Sequence, residues 1–195
     1  TNNLSLLINS SEKWAFIHIP KTGGTSLSSI IRNIGGTNQI TGHDSIRWVD
    51  DVSDYYIFTI VRNPYTRIAS AYNHELRKKT HNYTFGEFLK NSNPFHQWIL
   101  PQSYYINAGK TKNRKISYVA YYENYGNDVK KILNKINCTS TIPHLNRNPI
   151  YDTHPTLNQE KYYNNFFTEE WMIDWVKERY LDDFKIFNYD MDLPR

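Results

Sequence analysis

Phe16-Ile17-His18-Ile19-Pro20-Lys21-Thr22-Gly23-Gly24-Thr25-Ser26-Leu27 is the stretch whose reading decides the fold. It begins inside a short apolar run, Trp14 to Ile19, of the kind that forms a buried strand. Pro20 stops the run and Gly23-Gly24 supply a turn. A helix is then expected from about Thr25 to Asn33, with Gly35-Gly36 as its stop. A strand that passes through a glycine turn straight into a helix is one step of an α/β fold. Glycine lets the backbone approach an anion closely, and the exposed N–H groups at a helix start can bind it. Lys21 adds a full positive charge and Thr22, Thr25 and Ser26 add hydroxyls, so the stretch reads as a cradle for a terminal phosphate or phosphosulfate. An ordinary strand–turn–helix junction does not call for a lysine, two glycines and three hydroxyl residues in six positions. The order also matters. A loop of the form G-x-x-x-x-G-K-[ST] places its lysine after the glycines, and its hydroxyl holds Mg²⁺. Here Lys21 precedes Gly23-Gly24, and no glycine stands four to five positions earlier, which excludes a standard ATP loop.

Outward from this stretch, strands and helices alternate. Asn38 to Thr41 reads as a short strand ending at Gly42-His43, Tyr55 to Val61 as the clearest strand, and Ile116 to Tyr121 as a further strong one. Pro64 opens a helix expected to reach about Lys79, because proline fits the first helical turn. Thr84 to Asn91 reads as another helix, and Asn124 caps one that runs to Ile136. The segment from Cys138 to Pro155 is turn-rich, with Pro143, Pro149 and Pro155, and a long irregular segment of this kind is usually functional or flexible. Thr168 is expected to cap the last helix, with Trp171, Trp175 and Tyr180 along one face as core packing. There is no repeat, low-complexity tract or linker, so residues 1–195 are expected to form one domain with a mainly parallel sheet.

Composition narrows the class without choosing a function. The 195 residues are 39% hydrophobic and 22% charged, an ordinary balance for a folded domain with a real core. The chain holds 16 Tyr against 9 Phe and 5 Trp, a residue suited to half-buried positions or to a polar groove, and for most of them core filling is the simpler reading. A net charge of +4 suits an anionic ligand, whether nucleotide, polysaccharide or nucleic acid. The basic residues are scattered, which disfavours a dedicated nucleic-acid binder. The single cysteine, Cys138, excludes an internal disulfide and a cysteine-based zinc site. No run approaches the ~20 apolar residues of a membrane span. Thr1 to Leu7 lack the pattern of a signal peptide, although a chain starting at Thr1 leaves room for an upstream anchor. The three glycosylation sequons are read as chance matches in an Asn-rich chain.

A second motif follows the strongest strand: Val61-Arg62-Asn63-Pro64-Tyr65-Thr66-Arg67-Ile68-Ala69-Ser70-Ala71-Tyr72. Arg62 stands at the strand's carboxyl end, where ligands bind in open α/β sheets, and arginine offers a planar fork that matches phosphate. Ser70 lies about two turns into the helix and shares a face with Arg67. Taken alone, this could be a charged helix start and nothing more.

Together the two motifs resemble the sulfotransferases that use 3′-phosphoadenosine 5′-phosphosulfate (PAPS), most closely the carbohydrate branch of the heparan and chondroitin type. Pro20 to Ser26 resembles that family's 5′-phosphosulfate loop, which often reads "HIPKTAGTS", and Arg62 to Tyr72 resembles its 3′-phosphate motif, R-[DN]-P-x-x-R-x-x-S-x-Y. One glycine of the Gly23-Gly24 pair stands where alanine is common, a departure read as harmless. By this resemblance Lys21 contacts the bridging and sulfuryl oxygens, and Thr22, Gly23, Gly24, Thr25 and Ser26 wrap the 5′-phosphate. Arg62 and Ser70 hold the 3′-phosphate, while Arg67 supports the loop. The implied fold is a three-layer α/β/α domain with a central parallel sheet, related to the P-loop NTPases. The implied reaction transfers a sulfuryl group from PAPS to a hydroxyl acceptor, a glycan by family analogy, leaving PAP and requiring no metal. The likeness covers nearly the whole chain, specific at the two motifs and loose elsewhere.

Such a transfer is served by a base that titrates near neutrality, which favours histidine. Of the seven histidines (His18, His43, His74, His81, His96, His144 and His154), His43 follows Gly42 between the two motifs, where the resembling family has its catalytic base. Asp44 either orients it or is a turn residue. His18 reads as scaffold and His74 as helix surface. Glu123, in a "YE" that also resembles a family position, is an alternative base or a helix-start charge. His144-Leu145-Asn146-Arg147 resembles the family's "HLN" segment, with Asn146 and Arg147 as anion contacts. Trp171 to Tyr189 resembles the closing helix and final strand. No histidine pair has metal-binding spacing. Two rivals stay open: a P-loop-like kinase of a nucleotide or small molecule, and a non-catalytic polyanion-binding domain. The Asn/Lys/Ile/Tyr-rich, nearly Cys-free chain reads as microbial or viral and cytoplasmic, or as resident in the Golgi lumen if an anchor has been trimmed.

Overall fold

The apolar and β-branched runs become five strands: β1 (Leu4–Asn9), β2 (Trp14–Ile17), β3 (Thr37–Thr41), β4 (Tyr56–Val61) and β5 (Tyr118–Tyr121). The helices are α1 (Gly24–Ile31), α2 (Pro64–Arg77), α3 (Phe85–Asn91), α4 (Gln102–Asn107), α5 (Tyr125–Lys135), α6 (Gln159–Asn164), α7 (Glu170–Arg179) and α8 (Leu181–Ile186). This computed structural model describes residues 4–41, 52–77, 82–107, 115–140 and 159–194. The chain divides into two compact units, Thr1–Val61 with Tyr104–Asn146, and Arg62–Ser103 with Arg147–Arg195.

The first unit holds a sheet in the order β3-β1-β2-β4-β5. β2 pairs with β4 and β4 with β5 in parallel, with Phe16 opposite Phe58 and Thr59 opposite Val119. β1 runs antiparallel to both β2 and β3. The sheet is therefore mixed rather than parallel throughout: β3, β2, β4 and β5 point one way and β1 alone is inverted. The reason is local. The chain returns from β1 to β2 through the turn at residues 10–13, which is too short for a parallel crossover. Asn9 braces that turn, since its Oδ1 accepts from Ser11 Oγ at 2.7 Å and from Glu12 N–H at 2.9 Å. The sequence reading assigned no strand to this first segment.

Strand alternation sends Leu7, Trp14, Phe16, Phe58, Ile60 and Ala120 into one core with Leu27, Ile30 and Ile31 of α1 and Val129, Ile132 and Leu133 of α5. Each large side chain buried there contributes about 1.5–3 kcal/mol. Ala15, Ile17, Ile57 and Val61, which alternate with that set, are buried as well. Sequence alone would read a continuous apolar run such as Ile57–Val61 as a strand covered on both faces.

The second unit is helical, and its core is aromatic. Tyr65, Tyr72, Phe85, Phe88, Tyr163, Phe167, Tyr180 and Phe184 are buried together with Met172 and Val176. Tyrosine serves here as a core residue with a tethered end. Tyr65 Oη donates to Met191 O at 2.6 Å, Tyr72 Oη to Tyr83 O at 2.8 Å and Tyr180 Oη to Ile99 O at 2.9 Å. The excess of tyrosine over phenylalanine is explained at these positions, because each ring fills the core while its hydroxyl satisfies a carbonyl. α3 starts with a capping box in which Thr84 Oγ1 accepts from Glu87 N–H and Glu87 Oε2 accepts from Thr84 N–H. The closing segment differs from expectation. Glu169 rather than Thr168 is the N-cap, and the chain breaks at Tyr180 into two helices, α7 and α8, with no final strand among the described residues.

In the sheet unit Asp128 ties α5 to β5. It is 4% exposed and accepts from Tyr121 N–H at 2.9 Å, Tyr118 Oη at 3.0 Å, Asn124 Nδ2 at 3.0 Å and Lys131 Nζ at 3.3 Å. Replacing it leaves buried donors without an acceptor, so Asp128→Ala is expected to lower stability by about 1–3 kcal/mol in a urea titration. An unchanged urea midpoint would show that these bonds contribute nothing net.

Candidate active site

In the sheet unit the chain leaves β2 at Ile17 and reaches α1 at Gly24. Two of the intervening residues take left-handed backbone, Lys21 at φ 70 and Gly23 at φ 83. Glycine adopts this region without penalty, whereas lysine in it is uncommon and costs of order 1 kcal/mol. Thr22, fully buried, donates its hydroxyl back to Ile19 O at 2.9 Å, so its side chain closes the loop and only its backbone faces elsewhere. Gly23 is the N-cap of α1 and has no side chain to offer the helix's first N–H groups. Thr25 is exposed and Ser26 is buried at 6%. The result is a left-handed turn beside a lysine, opening an eight-residue helix at its amino end. Such a turn suits an oxyanion.

Three side chains hold this turn. Tyr125 Oη donates to Gly23 O at 3.0 Å. Burial pushes the Tyr125 hydroxyl up to about 12, against hydrogen bonds with Ser26 and the Leu27 backbone that lower it. A Cβ on Gly23 would lie 3.0 Å from the rings of both Tyr122 and Tyr125, so the turn is packed directly against them. His18 lies on the other flank. A Cβ on Gly24 would come within 2.3 Å of His18 Cδ2 and 2.7 Å of Nε2. The loop quoted for the resembling family also has glycine at the place of Gly24, where a Cβ here would meet the His18 ring. The His18 ring stacks on Phe16 at 5.7 Å, and its Nδ1 is buried with no hydrogen-bond partner among the described residues. Burial, and secondarily the positive charge of Arg32, lower the His18 pKa from 6.5 to about 4. His18 is accordingly a neutral packing element, in keeping with the scaffold role expected for it.

The helical unit carries the second motif. Asn63 explains the junction before Pro64: its Oδ1 accepts from Tyr65 N–H at 2.9 Å, and its carbonyl accepts from Arg67 N–H at 2.9 Å as the first helical bond of α2. Arg62 is 3% exposed. Its Nε donates to Thr66 Oγ1 at 3.0 Å and its guanidinium carbon lies 5.2 Å from the centre of the Tyr163 ring. Arg67, 1% exposed, donates to Leu100 O at 3.0 Å, in keeping with the supporting role expected for it. Ser70 is half-buried on α2.

His74 is half-buried with its ring edge-on to Trp98 at 4.8 Å, and His96 Nδ1 accepts from Trp98 N–H at 3.3 Å. Glu123 is exposed on a single turn of 3-10 helix, Tyr122–Asn124. His43, Asp44, His81, His144, Asn146, Arg147 and His154 lie outside the described residues. Among the described residues no group of three or more His, Cys, Asp or Glu could hold a metal ion, and no helix is long and apolar enough to cross a membrane.

A sequence model described as the sulfotransferase family matches residues 5–190. The chain belongs to the sulfotransferase family. An uncharacterized protein of Archaeoglobus fulgidus is 30% identical to it over 83 residues, 42% of this chain and 68% of that protein. No solved structure matches it. Within this sulfotransferase, sequence reasoning did not single out Tyr125, Gln102 and Asp183, which hold the backbone of the two motifs directly or through one another. Only Tyr125 carried a signal, since it follows the "YE" of Tyr122-Glu123 at a strand's carboxyl end.

The contact between Gly24 and His18 makes two predictions. Gly24→Ala should lower stability by about 1–3 kcal/mol through overpacking, and adding His18→Ala should recover part of the loss. Equal losses in the single and double variants would dismiss the contact. Because the folded-state pKa of His18 lies below 6.5, its neutral form contributes stability that is complete above pH 6.5 and is lost as pH falls towards about 4. The melting temperature should fall over that window more steeply in the wild type than in His18→Phe.

Proposed function

We propose that this sulfotransferase takes its sulfuryl group from PAPS and transfers it to a hydroxyl of a carbohydrate. The observation that carries the reading is the turn at Lys21–Gly24: left-handed backbone, a lysine and an uncapped helix start, braced from behind by Tyr125 and His18. Thr22, Gly23, Gly24, Thr25 and Ser26 hold the 5′-phosphate and Lys21 the bridging and sulfuryl oxygens. Arg62 and Ser70 hold the 3′-phosphate, the group that distinguishes PAPS from ATP. The residues fit an anion of this kind, because backbone N–H groups, a point charge and a planar guanidinium each bind phosphate oxygens.

In the proposed reaction the acceptor oxygen forms a bond to sulfur while the bond from sulfur to the bridging phosphate oxygen breaks in line. His43 takes the acceptor's proton. Lys21 neutralises the charge left on the departing phosphate, and the products are the sulfated acceptor and PAP. Positioning and charge stabilisation supply most of the rate, by analogy with phosphoryl transfer. This scheme requires no metal. The chain is taken as one domain of the three-layer, P-loop-like type, and its near lack of cysteine supports a cytoplasmic setting.

Calorimetric titration with PAP, in EDTA and with ATP, ADP and AMP as competitors, tests the donor. Metal-independent binding that needs the 3′-phosphate is expected. Equal affinity for PAP and ADP would overturn the roles of Arg62 and Ser70 and move the kinase reading forward. Lys21→Ala and His43→Ala should each reduce turnover by about 10²-fold or more, with PAP binding kept in His43→Ala. Wild-type turnover in His43→Ala would remove it as the base.

A further inference from the structure

In the helical unit one side chain brackets the main chain of Arg62 from 40 residues away. Gln102 Oε1 accepts from Arg62 N–H at 2.8 Å, and Gln102 Nε2 donates to Arg62 O at 2.8 Å. A carboxamide carries the same donor and acceptor pair as a peptide group, so Gln102 stands in for the backbone of a further strand. Gln102 is itself held by Asp183 of α8, which accepts from Gln102 N–H at 2.8 Å, from Ser103 N–H at 2.7 Å and from Gln102 Nε2 at 3.4 Å. Gln102 and Asp183 are 0% exposed. The amide has one workable orientation, because a flip would set its NH₂ against the Arg62 N–H and its oxygen against the Arg62 carbonyl and the Asp183 carboxylate.

We infer that Gln102 and Asp183 are positioning residues that aim Arg62, and that through it they set the selectivity for a nucleotide phosphorylated on its 3′ position. The inference rests on the reading of Arg62 as the 3′-phosphate contact. Arginine grips phosphate through a planar fork whose two parallel bonds tolerate little displacement. The Arg62 fork is directed by its Cα, by the Nε bond to Thr66 and by the ring of Tyr163. The Gln102 bracket fixes the Cα, and Asp183 fixes the bracket. Phosphate selectivity is thereby tied to a carboxylate that need not touch the ligand. A role limited to satisfying buried polar groups would change stability alone and would leave selectivity untouched.

The test compares PAP with AMP, which lacks the 3′-phosphate, by calorimetry at fixed ionic strength. The proteins are the wild type, Gln102→Ala, Asp183→Asn and Gln102→Met. The methionine keeps the length and the neutral charge but loses both bonds to the Arg62 backbone, so it serves if the alanine variant does not fold. In folded Gln102→Ala or Gln102→Met the ratio of PAP to AMP affinity is expected to fall about tenfold, with AMP affinity unchanged. Asp183→Asn should give a smaller fall in the same ratio. Full wild-type preference for PAP in a folded Gln102 variant overturns this inference alone. A wild type that binds PAP and AMP equally overturns the 3′-phosphate reading and this inference with it.

Discussion

A buried peptide group must find a hydrogen-bond partner, and the rest of the structure depends on how β4 meets that constraint. Ile57–Val61 are buried, so the strand's N–H and C=O groups cannot fall back on water. Parallel ladders to β2 and β5 satisfy most of them. At one margin Ser117 closes the gap, its N–H donating to Ile57 O at 2.7 Å while its Oγ accepts from Ile57 N–H at 3.1 Å. Beyond Val61, where strand pairing stops, Gln102 does the same for Arg62. A strand that ends in buried backbone needs such a substitute, and here the substitute falls on Arg62, the first residue of the second motif's R-N-P.

The two motifs proposed to bind phosphate are built on one physical plan. In each, the supporting side chains grip the main chain of the motif residue. Tyr125 holds the Gly23 carbonyl, and Gln102 holds both polar groups of the Arg62 backbone. Holding the backbone removes conformational freedom before any ligand arrives, which is the sense in which a binding site is preorganised. The supports beside the glycine turn are also uncharged at neutral pH. His18 is kept neutral by burial, and Tyr125, protonated at neutral pH like any tyrosine, is pushed further up to about 12. Neither adds a negative charge beside Lys21.

Much of this was legible in the sequence because it is local. The apolar runs ending at Ile17, Val61 and Tyr121 became β2, β4 and β5, and Pro64 opened α2 after an Asn63 cap, since hydrophobic period and helix-start chemistry act over a few residues. Errors arose where a local rule met a longer-range one. Leu4–Asn9 is short, and its pairing on both sides is what makes it a strand. Tyr180 interrupts the closing helix by burying its ring and tethering its hydroxyl to Ile99 O, 81 residues away.

The sequence by itself determined the strands ending at Ile17, Val61 and Tyr121, the glycine turn that leads into α1, the start of α2 at Pro64 and the family to which the chain belongs. Those properties reside in contiguous residues whose spacing already encodes their geometry. Tertiary structure alone decided that β1 runs against its neighbours, that His18 fills the space a Cβ on Gly24 would need, and that Gln102 and Asp183 stand behind Arg62. Contacts separated by 40 and 81 residues leave no period in the chain, because they depend on which surfaces meet when the core closes.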